Sequence, residues 1–331
     1  MRKTLSLSVA TMLGVALAAL MLPGLASTSS ALGATGRQEA QAAAAHRAFV
    51  EYLSSHATMM RATGRAATLH SNSAVTELGS FNWSGFADSQ TGSTPISSVS
   101  GRWTIPKVNC LTGQYRNQDA FLANWVGLDG LTDGTVEQLG TATQCYEGGE
   151  YYYDWYEMYP NGPVVEGTTQ CINEGVRCAR PGDQVKASVT STPGTDGNND
   201  YTLSLNDFSR PDEGFSVSAT CAATTCVNSS AEWIVERPAF GESFGSQILP
   251  QADYGQTAFA NGTVSAGGST SSIENYPGTV YDIAMIDDSQ GYFLSCPGQT
   301  GPSGQLLLVP SGCHMDSPIH GAFSETWDSS F

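Results

Sequence analysis

The stretch NSSAEWIVERP, residues 228–238, gives the clearest indication of the fold. Side chains alternate between the two faces of a β-strand. The apolar residues at the odd-numbered positions therefore share one face: Ala231, Trp233 and Val235. The opposite face carries Glu232, Ile234 and Glu236. The pattern predicts a strand with one face in a core. An acid on a strand is usually solvated, so its position alone assigns Glu232 no function.

The same kind of pattern continues on both sides of this stretch, from about residue 80 onward. Short alternating runs of β-branched and aromatic residues are separated by Gly, Pro, Asn and Asp clusters, as strands are separated by turns. The runs are SFNWSGFAD, SSVSGRWTI, AFLANWVGL, QVKASVTST, DYTLSLND, GFSVSAT, AEWIVE, QTAFANGTV, TVYDIAMI and GAFSETW. No helical periodicity of useful length follows residue 80. The sequence therefore predicts an all-β catalytic or binding domain, an antiparallel sandwich or barrel, over residues 76–331, with a less regular tail from about residue 290.

The first 34 residues have the order of a secretory signal peptide. Arg2 and Lys3 precede an apolar stretch over residues 5–22, and small residues follow up to residue 34. This order predicts export and removal of the segment. The alternative is an uncleaved membrane anchor, and no later segment is apolar enough to cross a bilayer.

Residues 35–75 differ from everything that follows them. The run RQEAQAAAAHRAFVEYLSSH is rich in Ala and has good helix propensity. We interpret residues 35–75 as a propeptide whose basic residues dock on the acidic domain. A disordered linker is the alternative.

All eight cysteines lie outside the signal segment, and their even number is typical of disulfides in an exported chain. Zinc sites need closely spaced Cys or His pairs, which these spacings do not provide. Close spacing favours two local pairs, and the remaining cysteines would form two more: Cys171 with Cys178, Cys221 with Cys226, Cys110 with Cys145, and Cys296 with Cys313.

The charge of the chain is strongly acidic, with 14 Lys and Arg against 31 Asp and Glu. Six of the cations precede residue 76, so the domain that follows holds eight cations against 29 acids. Nucleic acid is an unlikely partner, because binding it requires a basic face. Acid unfolding proceeds largely by protonating paired carboxylates, so a domain with few cations has few ion pairs to lose in acid.

Several hydrolase signatures are missing from the sequence. It has no HExxH zinc motif and no DTG or DSG aspartate triplet. The string GESFG, residues 241–245, matches a nucleophile elbow at Ser243, followed in hydrolase order by Asp282 or Asp287 and then His314 or His320. In a nucleophile elbow a helix follows the serine, but the downstream residues SQILPQADYG have no helical pattern. A flexible loop is therefore the simpler interpretation.

Two further segments place polar residues where a strand core would be apolar. ANWVGLDG and TVEQLGT bring Trp125, Asp129 and Gln138 into one strand-turn-strand unit. YYYDWYEMYP is an aromatic strand that contains Asp154 and Glu157. Aromatic strips more often fill a core or a glycan-binding face than a catalytic cleft.

Five motifs together resemble one known family. In chain order they are NWSG at 82–85, WVGLDG at 125–130, EQLG at 137–140, WYEMYP at 155–160 and AEWIVE at 231–236. The set is similar to the glutamic peptidases, or eqolisins, formerly the A4 group, and especially to their bacterial members. The resemblance covers about residues 81–286.

The resemblance implies a sandwich of two curved antiparallel sheets, concanavalin-like, with substrate in the concave face. It assigns the catalytic glutamate to Glu232 and the catalytic glutamine to Gln138. Positions that line or support the cleft are matched by Trp83, Trp125, Asp129 and Glu157. Asp154 receives no catalytic role, because the residues before WYE differ from the fungal pattern.

The resemblance also implies an activity: a secreted, extracellular endopeptidase working in acid on polypeptides, without a cofactor or metal. We expect a monomer that binds its substrates and its own propeptide, and no membrane association after signal cleavage. The alternatives are a serine esterase using Ser243 and a non-catalytic glycan-binding sandwich.

Overall fold

The computed structural model describes residues 36–37, 40–45, 47, 75–111, 119–168, 179–237, 239–240, 247–286, 293–298 and 321–327. The chain divides into two compact units, Met1–Gln41 and Ala42–Phe331. In the first unit the described residues 36–37 and 40–41 are helical, as are residues 42–45 and 47 of the second. The helix predicted for this region is therefore present where the structure describes it. No helix among the described residues has the length and apolar character needed to span a membrane.

The rest of the second unit is built from β-strands. In chain order they are β1 (Thr76–Ser80), β2 (Trp83–Ser89), β3 (Ile96–Thr104), β4 (Ala120–Leu128), β5 (Val136–Tyr146), β6 (Gly149–Tyr159), β7 (Val164–Thr168), β8 (Gln184–Pro193), β9 (Asn198–Asp207), β10 (Phe215–Ala222), β11 (Ser230–Glu236), β12 (Ala239–Phe240), β13 (Gln247–Ile248), β14 (Gln256–Ala266), β15 (Ser269–Ser272), β16 (Thr279–Ile286), β17 (Phe293–Gly298) and β18 (Phe323–Trp327). Two 3₁₀ turns, Pro211–Glu213 and Ile273–Asn275, are the helical elements described after residue 75. The strands predicted from alternation are all present, within a few residues of their predicted ends.

One hydrogen-bonded path joins most of these strands, in the order β10-β9-β8-β3-β14-β18-β17-β16-β2-β11-β4-β5-β6-β7. The path folds over so that its two halves pack face to face. The Trp103 indole N–H on β3 donates to the Thr141 hydroxyl on β5 at 2.9 Å, and the Trp233 indole N–H on β11 donates to the Ser100 carbonyl on β3 at 2.8 Å. The predicted β-sandwich is confirmed.

The larger core lies between the two halves. It contains the face of β11 that alternation predicted to be apolar, with Ala231, Trp233 and Val235 all fully buried. Phe86 of β2 meets Phe323 of β18 edge-on, with ring centroids 4.8 Å apart. We call the half-sheet β16-β2-β11-β4-β5-β6-β7 the front sheet and its face away from this core the front face.

The tail after residue 290 completes the sandwich. β17 pairs with β16, and β18 lies between β17 and β14, all antiparallel. The strand GAFSETW therefore lies inside the sheet and not at its edge. The short strand β1 pairs with β16 in parallel, as a pairing off the main path.

Two of the four predicted disulfides are present among the described residues. Cys110 bonds to Cys145, and Cys221 bonds to Cys226. The first joins the loop before β4 to the end of β5, and the second closes the turn after β10. The pairs predicted for Cys171 with Cys178 and Cys296 with Cys313 involve residues outside the described ones.

Candidate functional site

A row of polar side chains crosses the front sheet at one level. In the strand register Glu232 of β11 lies opposite Gly127 of β4, Gly127 lies opposite Gln138 of β5, and Gln138 lies opposite Glu157 of β6. Residues directly opposite each other on neighbouring strands point to the same face of a sheet. Glu232, Gln138 and Glu157 therefore share the front face, and a residue without a side chain separates the first two.

The side-chain amide of Gln138 is hydrogen-bonded to Glu157 through its nitrogen. Its Nε2 donates a hydrogen bond to Oε2 of Glu157 at 2.8 Å. Its Oε1 is buried and has no hydrogen-bond partner among the described residues. Because an amide nitrogen carries two hydrogens, the contact with Glu157 fixes the orientation of the amide and leaves one N–H and the carbonyl oxygen for another ligand.

Glu232 is fully buried, although it stands on the front face. Neither carboxylate oxygen has a hydrogen-bond partner of normal geometry in the described part of the chain. Burial raises the pKa of Glu232 well above its ordinary value, the Ser230 hydroxyl opposes this rise, and the acids Asp129, Asp133 and Glu137 add to it. Alternation predicted the correct face for Glu232 but not its burial.

Trp125 and Trp83 form an aromatic group beside this row. Their rings meet edge-on with centroids 4.9 Å apart, and both side chains are fully buried on the front face. The indole N–H of Trp125 donates to Oε2 of Glu236 at 2.8 Å. Burial raises the pKa of Glu236 to about 8, while hydrogen bonds from Trp125, Trp83 and Asn82 act in the opposite direction.

Glu236 is a site residue that the sequence reasoning did not select. It lies four residues after Glu232 on the same strand and therefore on the same face, so the alternation of AEWIVE already contained the signal. The charge of Glu236 also acts on Glu157. The pKa of Glu157 is raised well above its ordinary value, mainly by burial and secondly by the charge of Glu236. Three buried carboxyls thus share the front face with Gln138.

Asp129 holds the chain that leads into β11. Its two carboxylate oxygens accept the backbone N–H groups of Asn228 at 2.8 Å and Ser229 at 2.5 Å. Its own backbone N–H donates to the Ser230 carbonyl at 3.0 Å. The family resemblance placed Asp129 among the positions that line or support the cleft, and its hydrogen bonds connect it to the backbone of the residues just before Glu232.

The Asp129 carboxyl is buried next to other acids, which affects its protonation. The pKa of Asp129 rises to about 7, first through burial and then through Asp133. The pKa of Glu137 rises to about 10, through burial and through Asp129. Glu137 lies opposite Leu128, on the core side of the sheet.

One group of potential metal ligands occurs among the described residues: Glu137, Cys221 and Cys226. Both cysteines are joined in a disulfide and offer no thiolate. This group therefore does not have the donor set of a metal centre.

Asp154 lies on the core side of β6, away from the row that contains Gln138. It pairs in register with Thr141. Burial raises its pKa to about 7, and the charges of Asp207 and Arg210 act on it in opposite directions. This position agrees with the expectation that Asp154 takes no part in the front-face site. The alternative nucleophile Ser243 and its candidate partners His314, His320 and Asp287 lie outside the described residues, and Asp282 is buried in β16.

Comparison with known proteins gives one decisive match. The sequence model described as the Peptidase A4 family matches residues 81–297, well over half of the chain. No curated protein matches. Among solved structures, the chain is similar to aspergilloglutamic peptidase from Aspergillus niger, at 24% identity and a TM-score of 0.39, over 63% of this chain and 99% of that one. It is also similar to the alginate lyase Aly36B, a mutant in complex with alginate trisaccharide, at 12% identity and a TM-score of 0.30, over 56% and 77% of the two chains.

The family match begins just before β2 and ends within β17, so it contains all four strands that carry the front-face row. On this match the chain belongs to the Peptidase A4 family, the glutamic peptidases, as the five sequence motifs predicted.

Proposed function

We propose that this glutamic peptidase is a secreted acid endopeptidase in which Glu232 and Gln138 together activate a water molecule and stabilise the tetrahedral intermediate. One observation carries the proposal. Glu232 and Gln138 stand on the same face of the sheet at the same level, with only Gly127 between them. A substrate bond lying over Gly127 would have a carboxyl group on one side and an amide group on the other.

Glu232 acts as general base and then as general acid. Its carboxylate takes a proton from water as the water oxygen bonds to the substrate carbonyl carbon. The same proton then passes to the amine nitrogen as the C–N bond breaks. The products are a carboxylic acid and an amine, and Glu232 is again a carboxylate.

Gln138 serves the same steps as a neutral group. The N–H that is not bound to Glu157 donates to the oxygen that becomes negative in the intermediate. Its Oε1, which has no partner among the described residues, accepts a hydrogen bond from the attacking water. The amide is oriented before substrate arrives, because Glu157 already holds it.

Glu232 must be ionised to act as a base, and its raised pKa opposes this. The neighbours Asp129 and Glu137 also have raised pKa values, of about 7 and about 10, so both are neutral in acid and no longer repel a charge on Glu232. The nearby Ser230 hydroxyl lowers the pKa of Glu232, and hydrogen bonds from the water and the substrate then favour the carboxylate further. The acid limb of the pH profile of kcat/KM should report this ionisation.

Changing Ser230 to Ala should move that acid limb to higher pH. The hydroxyl stabilises the ionised form of Glu232, so its loss raises the pKa of the base, and a higher pH is needed to ionise it. The measurement is kcat/KM from pH 2 to 7. Ser218→Ala, at an exposed position of β10, is the matched control and should leave the profile unchanged. An unshifted acid limb in Ser230→Ala would show that Ser230 does not tune the base.

Changing Glu157 to Ala should lower kcat by about 10- to 100-fold, because a misplaced catalytic group costs up to about 10² in rate. KM should change less, since the amide is needed chiefly in the transition state. Glu157→Gln keeps an acceptor oxygen for Gln138 Nε2 and should recover most of the rate. If both variants lose equal activity, Glu157 has some role other than orienting the amide.

Export, processing and partners belong to the same proposal. The signal-like residues 1–34, the disulfides and the acidic composition support secretion to an extracellular, acidic medium. Polypeptides are the proposed substrates, and residues 35–75, with their basic side chains, are the proposed intramolecular partner. The protein is proposed to be a monomer without a membrane partner, and the acidic composition argues against nucleic acid as a partner.

Digestion of denatured casein at a series of pH values tests the activity. We expect cleavage that is fastest in acid and unaffected by pepstatin or by a fluorophosphonate serine reagent. Inhibition by the fluorophosphonate would instead support the Ser243 hydrolase. Binding of glycans without casein cleavage at any pH would support the non-catalytic sandwich.

A further inference from the structure

Gly127 is the residue around which the candidate site is arranged. Neighbouring strands are about 4.8 Å apart, so the backbones of Glu232 and Gln138 are separated by about 9.6 Å, with Gly127 midway. Any side chain at this position would point to the front face and enter the space between the carboxyl and the amide.

The walls of this space are close and held in place. A Cβ atom on Gly127 would lie 3.0 Å from Cζ3 of Trp125, 3.2 Å from Cβ of Gln138 and 3.3 Å from the carbonyl oxygen of Glu137. The Trp125 ring cannot turn away freely, since its N–H is bonded to Glu236 and its edge packs on Trp83. These contacts leave little room for a side chain at Gly127.

Polar atoms without partners border the same space. Both carboxylate oxygens of Glu232 and Oε1 of Gln138 are buried and have no hydrogen-bond partner of normal geometry among the described residues. A buried polar group that lacks a hydrogen-bond partner destabilises the folded protein. Their grouping around a glycine indicates a place where a polar ligand binds.

We propose that Gly127 is the seat of the reacting peptide bond: the water and the scissile carbonyl lie against its bare backbone, and an extended substrate crosses β4 at this residue. The inference rests on the proposed function of Glu232 and Gln138 and adds a positioning residue to it. It requires that the space over Gly127 stay free of any side-chain atom.

Gly127→Ala tests the proposal. One methyl group would occupy the position of the water or the carbonyl, so kcat should fall by at least about 100-fold, as expected when reacting groups are displaced by about 1 Å. KM should change by less than about tenfold, because the side chains that bind the rest of the substrate are unchanged. Rates are compared per folded molecule at a temperature below the unfolding transition.

A matched control separates this role from tight packing. Gly101 on β3 is also buried against a tryptophan, and a Cβ there would lie 2.9 Å from Cδ1 of Trp233, but on the core side of the sandwich. Gly101→Ala should therefore lower Tm by at least as much as Gly127→Ala and keep its kcat. Equal kcat in the two variants would overturn the proposal.

Two further measurements keep the test decisive. If Gly127→Ala does not fold, it is combined with Trp125→Phe, which removes the nearest ring atom. The double variant should then have a kcat at least about 100-fold below that of Trp125→Phe alone. Equal kcat values in these two variants would reject the proposed role of Gly127. Glu232→Gln is assayed in parallel: if it is inactive while Gly127→Ala is normal, only the seat fails, whereas an active Glu232→Gln removes the proposed function itself.

Discussion

Glu232→Gln should lower kcat/KM for a peptide substrate by about 10³- to 10⁴-fold and leave the protein folded. General acid–base catalysis contributes about 10²- to 10⁴-fold, and Glu232 is proposed to act in both proton transfers. Glutamine has the same shape but cannot take a proton. The measurement is kcat/KM between pH 2 and 7, with the fold checked by circular dichroism.

The thermal stability of Glu232→Gln provides a second test. Because burial raises the pKa of Glu232, ionising this carboxyl in the folded protein at neutral pH costs free energy, and glutamine avoids the cost. Tm of Glu232→Gln at pH 7 should therefore equal or exceed that of the wild-type protein. Loss of activity with a retained or higher Tm would show that the defect is chemical and not structural.

Glu325→Gln is the matched control. Glu325 is also a fully buried glutamate on a strand, and its Oε2 accepts the Ser84 hydroxyl at 2.7 Å. Ser84 lies opposite Val235, on the core side of the front sheet. Its amide variant should keep kcat/KM within a few-fold of wild type. Near wild-type turnover in Glu232→Gln would mean that another group is the base.

Local pattern was enough to predict the strands but not their neighbours. Alternation with period two is a property of a few consecutive residues, so AEWIVE and AFLANWVGL could be assigned directly. Pairing order is non-local. The sequence contains no signal for the parallel pairing of β1 with β16 or for the position of β18 between β14 and β17.

The candidate site also depends on both local and non-local information. Alternation gave the face of Glu232, and the family motifs selected Gln138, but that the two meet across Gly127 depends on the register of three strands. Glu236 was missed because an acid on a strand is usually solvated, whereas here it is buried under two tryptophans. Asp129 was predicted to line or support the cleft, and its hydrogen bonds to the backbone before β11 became visible only in the folded chain.

Burial also changes the explanation of acid tolerance. The sequence suggested that few ion pairs could be lost in acid. The structure adds a stronger effect, because several carboxyls are buried with raised pKa values: Asp129 and Asp154 at about 7, Glu236 at about 8 and Glu137 at about 10. A protein built in this way keeps these groups neutral in acid and is disturbed when they ionise.

The free energy of unfolding should therefore fall as the pH rises from about 4 to 9. Between its unfolded and folded pKa values, each of these carboxyls is ionised in the unfolded chain and neutral in the folded one, so unfolding releases a proton. The stabilising contribution is complete below the unfolded pKa, near 4, and is lost as the pH approaches the folded pKa. The fall should be steepest up to about pH 7–8, where Asp129, Asp154 and Glu236 reach their folded pKa values.

The expected loss is large compared with the stability of a typical domain. One pKa unit corresponds to about 1.4 kcal/mol, so the rise of Asp154 from 3.8 to about 7 and that of Glu236 from 4.5 to about 8 each represent about 4–5 kcal/mol. Proteins are stable by about 5–15 kcal/mol in total. We therefore expect the protein to be less stable in mildly alkaline than in acidic solution.

Urea unfolding at fixed pH values between 3 and 9, with the disulfides intact, measures this dependence. Glu236→Gln should reduce the loss of stability between pH 5 and 9, because glutamine does not ionise and keeps an acceptor for the Trp125 N–H. Asp212→Asn, at an exposed position in a 3₁₀ turn, should leave the pH dependence unchanged. A carboxyl whose pKa is raised in the folded protein favours the unfolded chain when it ionises. A stability that stays level or increases from pH 4 to 9 would therefore show that the pKa values of these carboxyls are not raised in the folded protein.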